Sequence, residues 1–212
     1  MPTCWKILFA SVLAFFFSAA YGQTAERSKS TILVIGDSLS AEYGISRNSG
    51  WVKIIQHRLG TDGLNYEMKN ASISGDTTSG GLSRTPAALK EHGPEVVIIE
   101  LGSNDALRGL PLDMSRDNVS QMIALAKDAG ARVLLVGMQI PPNYGRPYAE
   151  QFRTMFIELA KEHGIDLVPF LLENVALDRT LFLDDGLHPN EKAQPIIADN
   201  VWAVLKPMLN AD

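Results

Sequence analysis

Apolar runs of strand length alternate with segments of helical periodicity along most of this chain. Ile32 to Ile35 are four consecutive apolar residues, three of them β-branched, a pattern expected of a strand covered on both faces. The run stops at Gly36 and a cluster of small polar residues, which is turn chemistry. Ala41 to Gly50 reads as irregular. Trp51, Val52, Ile54, Ile55 and Leu59 then recur at helical spacing, with Gly60 as the expected stop. Tyr66 to Asn70 reads as a second strand, running into a loop of small residues, Ser72 to Thr77. Leu82 to His92 reads as a helix closed by Gly93-Pro94, and Val96 to Leu101 as a third buried strand carrying Glu100 near its end. A helix over Met114 to Ala129, a strand over Arg132 to Val136 and a proline-rich loop over Met138 to Pro147 follow. The remaining elements are a helix over Tyr148 to His163, a short strand over Asp166 to Pro169, a less regular stretch to Asp184-Asp185, and a last helix from about Asn190 to Leu209.

Strands alternating with helices predict a parallel five-stranded sheet with helices on both faces, a three-layer α/β/α sandwich. Right-handed crossovers constrain its winding. Ser38 follows the first strand, Gly75 the second and Asn104 the third. In a parallel sheet those carboxyl ends share one edge, so three polar loops can converge on one cleft.

A length of 212 residues suits one well-buried domain, and the net charge of −5 lacks the basic footprint of a nucleic-acid binder. Residues 1–22 read as a signal peptide: Lys6 supplies a positive start, Ile7 to Phe17 an apolar core, and Ala20-Tyr21-Gly22 a small-x-small cleavage site. The apolar run is shorter than the ~20 residues a membrane span needs, so cleavage after Gly22 is expected, leaving no stable membrane span. Residues 23–30 read as a disordered polar leader and 31–212 as the folded domain. Cys4 is the one cysteine, and its removal excludes disulfides and a cysteine nucleophile from the mature chain. A periplasmic or secreted, monomeric protein is the expectation.

The candidate chemistry is acyl transfer by serine, which needs a nucleophile, a base, a group orienting the base, and donors for an oxyanion. Ser38, just past a buried strand, is the candidate nucleophile; no G-x-S-x-G elbow surrounds it. Of four histidines, His57, His92 and His163 sit near expected helix C-termini, where imidazoles interact with the dipole and the last carbonyls. His188 lies instead in a loop before Pro189. Asp185 is three residues upstream, within reach of the imidazole over one compact turn at Gly186, whereas Asp184 reads as a turn former. Asn104 offers an uncharged amide donor. No H-E-x-x-H is present and the histidines are scattered, so no metal is expected; Gly80-Gly81 lacks the Lys-Ser/Thr of a phosphate loop, and no cofactor is implied.

Four short blocks carry a resemblance. Gly36-Asp37-Ser38-Leu39 resembles the first signature block of the GDSL, or SGNH, hydrolases, and Ser72 to Thr77, Gly102-Ser103-Asn104-Asp105 and Asp185-Gly186-Leu187-His188-Pro189 are similar to three further blocks in the family's order. Pro141 to Gly145 and Trp202 to Leu209 are similar to its bacterial periplasmic thioesterase, lysophospholipase and arylesterase group. Ser103 stands where that group usually has a second glycine. The resemblance implies the flavodoxin-like strand order 2-1-3-4-5 and a triad of Ser38, His188 and Asp185. It implies an oxyanion hole from the N–H groups of Ser38 and Gly75 with the Asn104 side chain, and an acyl groove near Leu107, Leu110, Ile140 and Tyr144. The implied activity is hydrolysis of aryl and acyl esters, acyl-CoA and lysophospholipids. Carbohydrate O-deacetylation and a non-catalytic binding module on the same fold are the alternatives.

Overall fold

The computed structural model describes Met1 and residues 29–210. Residues 2–28, nearly all of the expected signal peptide and leader, lie outside the described residues; Ser30, expected to end the leader, instead begins β1, paired with Tyr66. The elements are β1 (Ser30–Gly36), α1 (Trp51–Thr61), β2 (Tyr66–Asn70), α2 (Thr78–His92), β3 (Val96–Glu100), α3 (Ser103–Leu107), α4 (Leu112–Asp128), β4 (Arg132–Val136), α5 (Arg146–His163), β5 (Asp166–Val168) and α6 (Gln194–Leu209). One parallel sheet carries the strands in the order β2-β1-β3-β4-β5, as the resemblance implies.

This order, with right-handed crossovers, decides which face each helix covers. The β1-to-β2 connection moves along the sheet in the direction opposite to all later ones, so a right-handed crossover sends α1 to one face and α2, α4 and α5 to the other. α1 packs on α6, which returns after β5, while α2 packs on α4 and α4 on α5. Covered on both sides, Ile32 to Ile35, Val96 to Ile99 and Leu134 to Val136 are buried, which is why these strands read as unbroken apolar runs. Phe152 and Phe156 on α5 meet edge to face, with ring centroids 5.1 Å apart, under the sheet edge that carries the site.

Several boundaries differ from the sequence pattern. α1 continues through Gly60, and the chain reverses at Gly63, whose φ is +70°. α2 starts a turn early: Thr77 caps it by accepting from the Gly80 N–H. The Ser79-Gly80-Gly81 run hides that turn, because glycine is a poor helix former; a Cβ on Gly81 would meet Leu101 Cδ1 at 2.2 Å. α3 has no counterpart in the pattern, being one turn long. α6 starts at Gln194, since Asn190 spends its side-chain oxygen on the Lys192 N–H and so forms a local turn. Pro147 falls in the first turn of α5, where its missing N–H is harmless.

Candidate active site

The β1 strand delivers Ser38 onto a tight turn at the carboxyl edge of the sheet. The Ala41 N–H bonds the Asp37 carbonyl at 2.9 Å, and the Leu39 N–H bonds the Asp37 carboxylate at 3.0 Å. Ser38 is left half-buried, facing a loop from the far end of the chain. There, His188 Nε2 lies 2.9 Å from Ser38 Oγ, and His188 Nδ1 lies 2.6 Å from Asp185 Oδ2. An ionised carboxylate only accepts, so the Nδ1 position carries the proton and Nε2 presents its lone pair to the serine hydroxyl.

The loop is built for this contact. Gly186 adopts φ +67° and its N–H bonds the Leu183 carbonyl at 2.9 Å, while the Leu183 N–H bonds the His188 carbonyl at 2.8 Å. Inside that reversal, Asp185 Oδ1 accepts from the N–H groups of Leu187 at 2.9 Å and His188 at 3.0 Å. Partial burial works against the Asp185 charge, but those backbone bonds and the imidazole outweigh it and hold the carboxyl down at about 2. A depressed carboxylate adds stability that is present above its ordinary value of 3.8 and is lost as pH falls toward 2. The Tyr43 ring closes the outer side of the imidazole, 4.4 Å between centroids.

Asp184 is exposed in the turn, as Asp185 is, but the bonds to His188 come from Asp185. Asp185→Asn should lower kcat at least about tenfold, roughly 1.4 kcal/mol in the barrier, by permitting the wrong imidazole tautomer. Asp184→Asn should stay within about threefold of wild type, as a surface change does. Steady-state kinetics of both variants on one soluble ester checks this, and the reverse ranking would transfer the orienting role to Asp184.

Asn104 sits in the first turn of α3, and its Nδ2 donates to Asp37 Oδ2 at 3.1 Å. An amide nitrogen has two hydrogens, so one remains for an oxyanion. Gly102 leads into this turn at φ +117°, a conformation that disfavours any side chain. Ser103 is 7 % exposed, and its hydroxyl has no hydrogen-bond partner among the described residues. Gly75 lies in the loop after β2, which is pinned to the end of β1 by the Ile73 N–H on the Gly36 carbonyl at 3.0 Å. The Gly75 carbonyl accepts from Arg108 at 2.9 Å, which holds the Gly75–Asp76 peptide on the carboxyl side of the glycine.

Two further carboxyls lie beneath the turn. Glu100 is fully buried at the end of β3, and its Oε2 accepts from Ser40 Oγ at 2.7 Å and from the Asp37 N–H at 3.3 Å. Burial, then the nearby Asp37 charge, pushes Glu100 well above the carboxylate range and so toward its neutral form. Neither carboxyl was singled out by the sequence pattern for chemistry; an acid inside an apolar strand, Val96 to Leu101, was the available signal.

The site opens into a cavity of about 850 Å³, whose wall includes Ser38, Asn104 and His188 and the apolar side chains of Leu107, Met138, Ile140, Phe170, Leu172 and Leu177. Leu107 and Ile140 are therefore in the wall. Leu110 and Tyr144 are not: Gly109, at φ +66°, turns the chain away so that the Leu110 carbonyl receives the Tyr148 hydroxyl at 2.9 Å, and Tyr144 is 42 % exposed in the short 3₁₀ turn Pro142–Tyr144. Phe170, Leu172 and Leu177 were missed, although an apolar run just past a strand at this edge is the same signal that located Ser38. His57, His92 and His163 stay outside the wall; His163 ends α5, 2.8 Å from Ser120 Oγ.

The sequence profile of the GDSL-like lipase/acylhydrolase family matches residues 34–195. Esterase TesA of Pseudomonas aeruginosa is 46 % identical over 186 residues, 88 % of this chain and 92 % of the relative. Thioesterase 1/protease 1/lysophospholipase L1 of Escherichia coli K12 is 39 % identical over 208 residues, 98 % of this chain and 95 % of the relative. A crystal structure of the psychrotrophic esterase EstA from Pseudoalteromonas sp., inhibited by monoethylphosphonate, superposes with a TM-score of 0.82 at 38 % identity, covering 86 % of this chain and 100 % of that one.

Proposed function

Because the chain belongs to the GDSL-like lipase/acylhydrolase family, we propose that Ser38, His188 and Asp185 are the catalytic triad of its reaction, with the Ser38 and Gly75 N–H groups and the Asn104 amide as the oxyanion hole. The enzyme is an SGNH-type serine hydrolase with esterase function. The observation that carries the residue assignment is the unbroken hydrogen-bonded line from Asp185 through His188 to Ser38, ending at the mouth of an apolar cavity. His188 Nε2 takes the Ser38 proton as Oγ attacks the acyl carbonyl. The carbonyl oxygen becomes an oxyanion held by the three donors, and its collapse expels the alcohol or thiol, which leaves with the proton from His188. Water, deprotonated by His188, then releases the acid from the acyl-serine.

Acyl esters and thioesters with apolar acyl chains, from aryl esters to acyl-CoA and lysophospholipids, are the substrates that fit this wall. The phosphonate-inhibited EstA and the activities named for the relatives support the same reading. A carbohydrate acetate offers little to an apolar cavity of this size. Rates on p-nitrophenyl esters and acyl-CoA thioesters of graded length test it; a preference for acetyl-xylan over octanoyl esters would overturn it. No described helix is long and apolar enough to cross a membrane, and the leader composition supports export, checked by N-terminal sequencing of the fractionated protein; a monomer is the expected state, checked by its solution mass.

Leu107 offers a direct test of the acyl site. Leu107→Ser should weaken octanoyl esters more than acetyl esters, with the gap in kcat/KM growing along the series. Each buried methylene contributes about 0.8 kcal/mol, which sets the largest step per carbon pair at about 1.6 kcal/mol. Equal losses at every length would remove Leu107 from the acyl site.

A further inference from the structure

The reaction as derived gives no task to Asp37, a carboxyl that is 0 % exposed and adjacent to the nucleophile. Its two oxygens face two parts of the machinery. Oδ1 accepts from the Leu39 N–H at 3.0 Å, so the carboxyl reaches across Ser38 to the peptide beyond it. Oδ2 accepts from Asn104 Nδ2 at 3.1 Å. One carboxyl thus spans the nucleophile turn and the side chain that comes from the end of the neighbouring strand.

We propose that Asp37 is a positioning residue for oxyanion stabilisation: its carboxylate holds the Asn104 amide so that the remaining N–H faces the carbonyl oxygen attacked by Ser38. This rests on Asn104 being an oxyanion donor. A free side-chain amide can rotate about its last bond, and a donor that must find its direction during the reaction stabilises less than one already aimed. Anchoring one of the two amide hydrogens on a fixed acceptor removes that freedom. The anchor is itself fixed, because the Leu39 N–H holds its other oxygen and Glu100 receives the Asp37 N–H from below.

Charge belongs on Asp37 for this purpose, since an ionised acceptor makes the stronger bond. The surroundings put it there. Two buried carboxyls near enough to feel each other's charge do not both ionise readily, and Glu100, whose Oε1 has no donor among the described residues, is the one pushed toward its neutral form. Burial raises Asp37 to about 6, and Asp76 pushes the same way, while the Leu39 N–H, His188 and the Asn104 amide oppose the rise. Arg84 is the near cation: it donates to the Gly36 carbonyl at 3.1 Å and to Asp76 at 2.8 Å, so it is engaged outside the carboxyl pair. At pH 8 Asp37 is ionised; below about 6 it takes up a proton and the grip on Asn104 weakens.

A double-mutant cycle on a soluble ester tests this in the full chain. Asp37→Asn keeps an oxygen for the Leu39 N–H but turns an N–H group toward the Asn104 amide. At pH 8 it should lower kcat about 10–100-fold, with KM within about threefold, since it misaims a donor that removal would cost ~10²–10³. Combined with Asn104→Ala, it should add less than about threefold, because its target is gone. The wild-type to Asp37→Asn ratio of kcat should shrink as pH falls below 6, where wild type loses the same charge; any part of the pH profile common to both proteins cancels in that ratio. The Tm of Asp37→Asn at pH 8 should be no lower than wild type's, because the variant removes a buried charge. Fully additive losses, a ratio independent of pH, or a kcat loss that follows a lowered Tm would each overturn the proposal. An Asn104→Ala enzyme with unchanged kcat would overturn the oxyanion assignment and this inference together, whereas a slow Asn104→Ala with additive Asp37→Asn would overturn this inference alone.

Discussion

Ser38→Ala should lower kcat on a soluble p-nitrophenyl ester by about 10⁶ and abolish covalent labelling by a fluorophosphonate. Among the described residues, Ser38 supplies the hydroxyl that meets His188 Nε2. Asn104 and the backbone donors remain, so a residual rate of about 10³ over water should persist through binding and oxyanion stabilisation alone. His188→Ala should lose nearly as much, and the double variant no more than either single one, because nucleophile and base act as one unit. EDTA should leave the wild-type rate unchanged, since the hydroxyl is activated by an imidazole. Activity lost to EDTA and restored by zinc, or labelling that survives in Ser38→Ala, would move the chemistry elsewhere. Intact-protein mass before and after phosphonylation reads the outcome directly.

Asn104→Ala should lower kcat by ~10²–10³, equivalent to about 2.7–4 kcal/mol of transition-state stabilisation. KM should change far less, because a planar ester carbonyl draws little from a donor aimed at the tetrahedral oxyanion. The loss should not depend on acyl length, which separates it from the Leu107→Ser series. A raised KM at unchanged kcat would make Asn104 a substrate-binding group.

Much of this protein is legible along the chain because its signals are local. Ile32 to Ile35 announces a strand covered on both faces, since four apolar residues in succession leave neither face for water. His188 and Asp185 are three residues apart on one turn, so their pairing needs no knowledge of the rest of the fold. That Ser38, Asn104 and the loop after β2 share an edge follows from parallel strands, whose carboxyl ends point one way.

Other features exist only after the layers pack. The Asp37–Asn104 bond joins residues 67 positions apart, and Ser40 meets Glu100 across 60. No periodicity connects such pairs, because their proximity comes from β1 lying beside β3 in a register that sets Gly36 against Glu100. The cavity wall likewise recruits Phe170, Leu172 and Leu177 from beyond β5 and leaves out Leu110 and Tyr144. Spacing places a residue on an element or in a loop, and resemblance assigns it to a region. Which way a loop side chain faces is decided by the turn that precedes it and by what packs behind it. For Leu107 and Leu110 the deciding feature is a helical turn followed by a left-handed Gly109. The protonation of the two buried acids is tertiary for the same reason: an aspartate and a glutamate 63 positions apart compete for one charge only because folding strips both of water and sets them in contact.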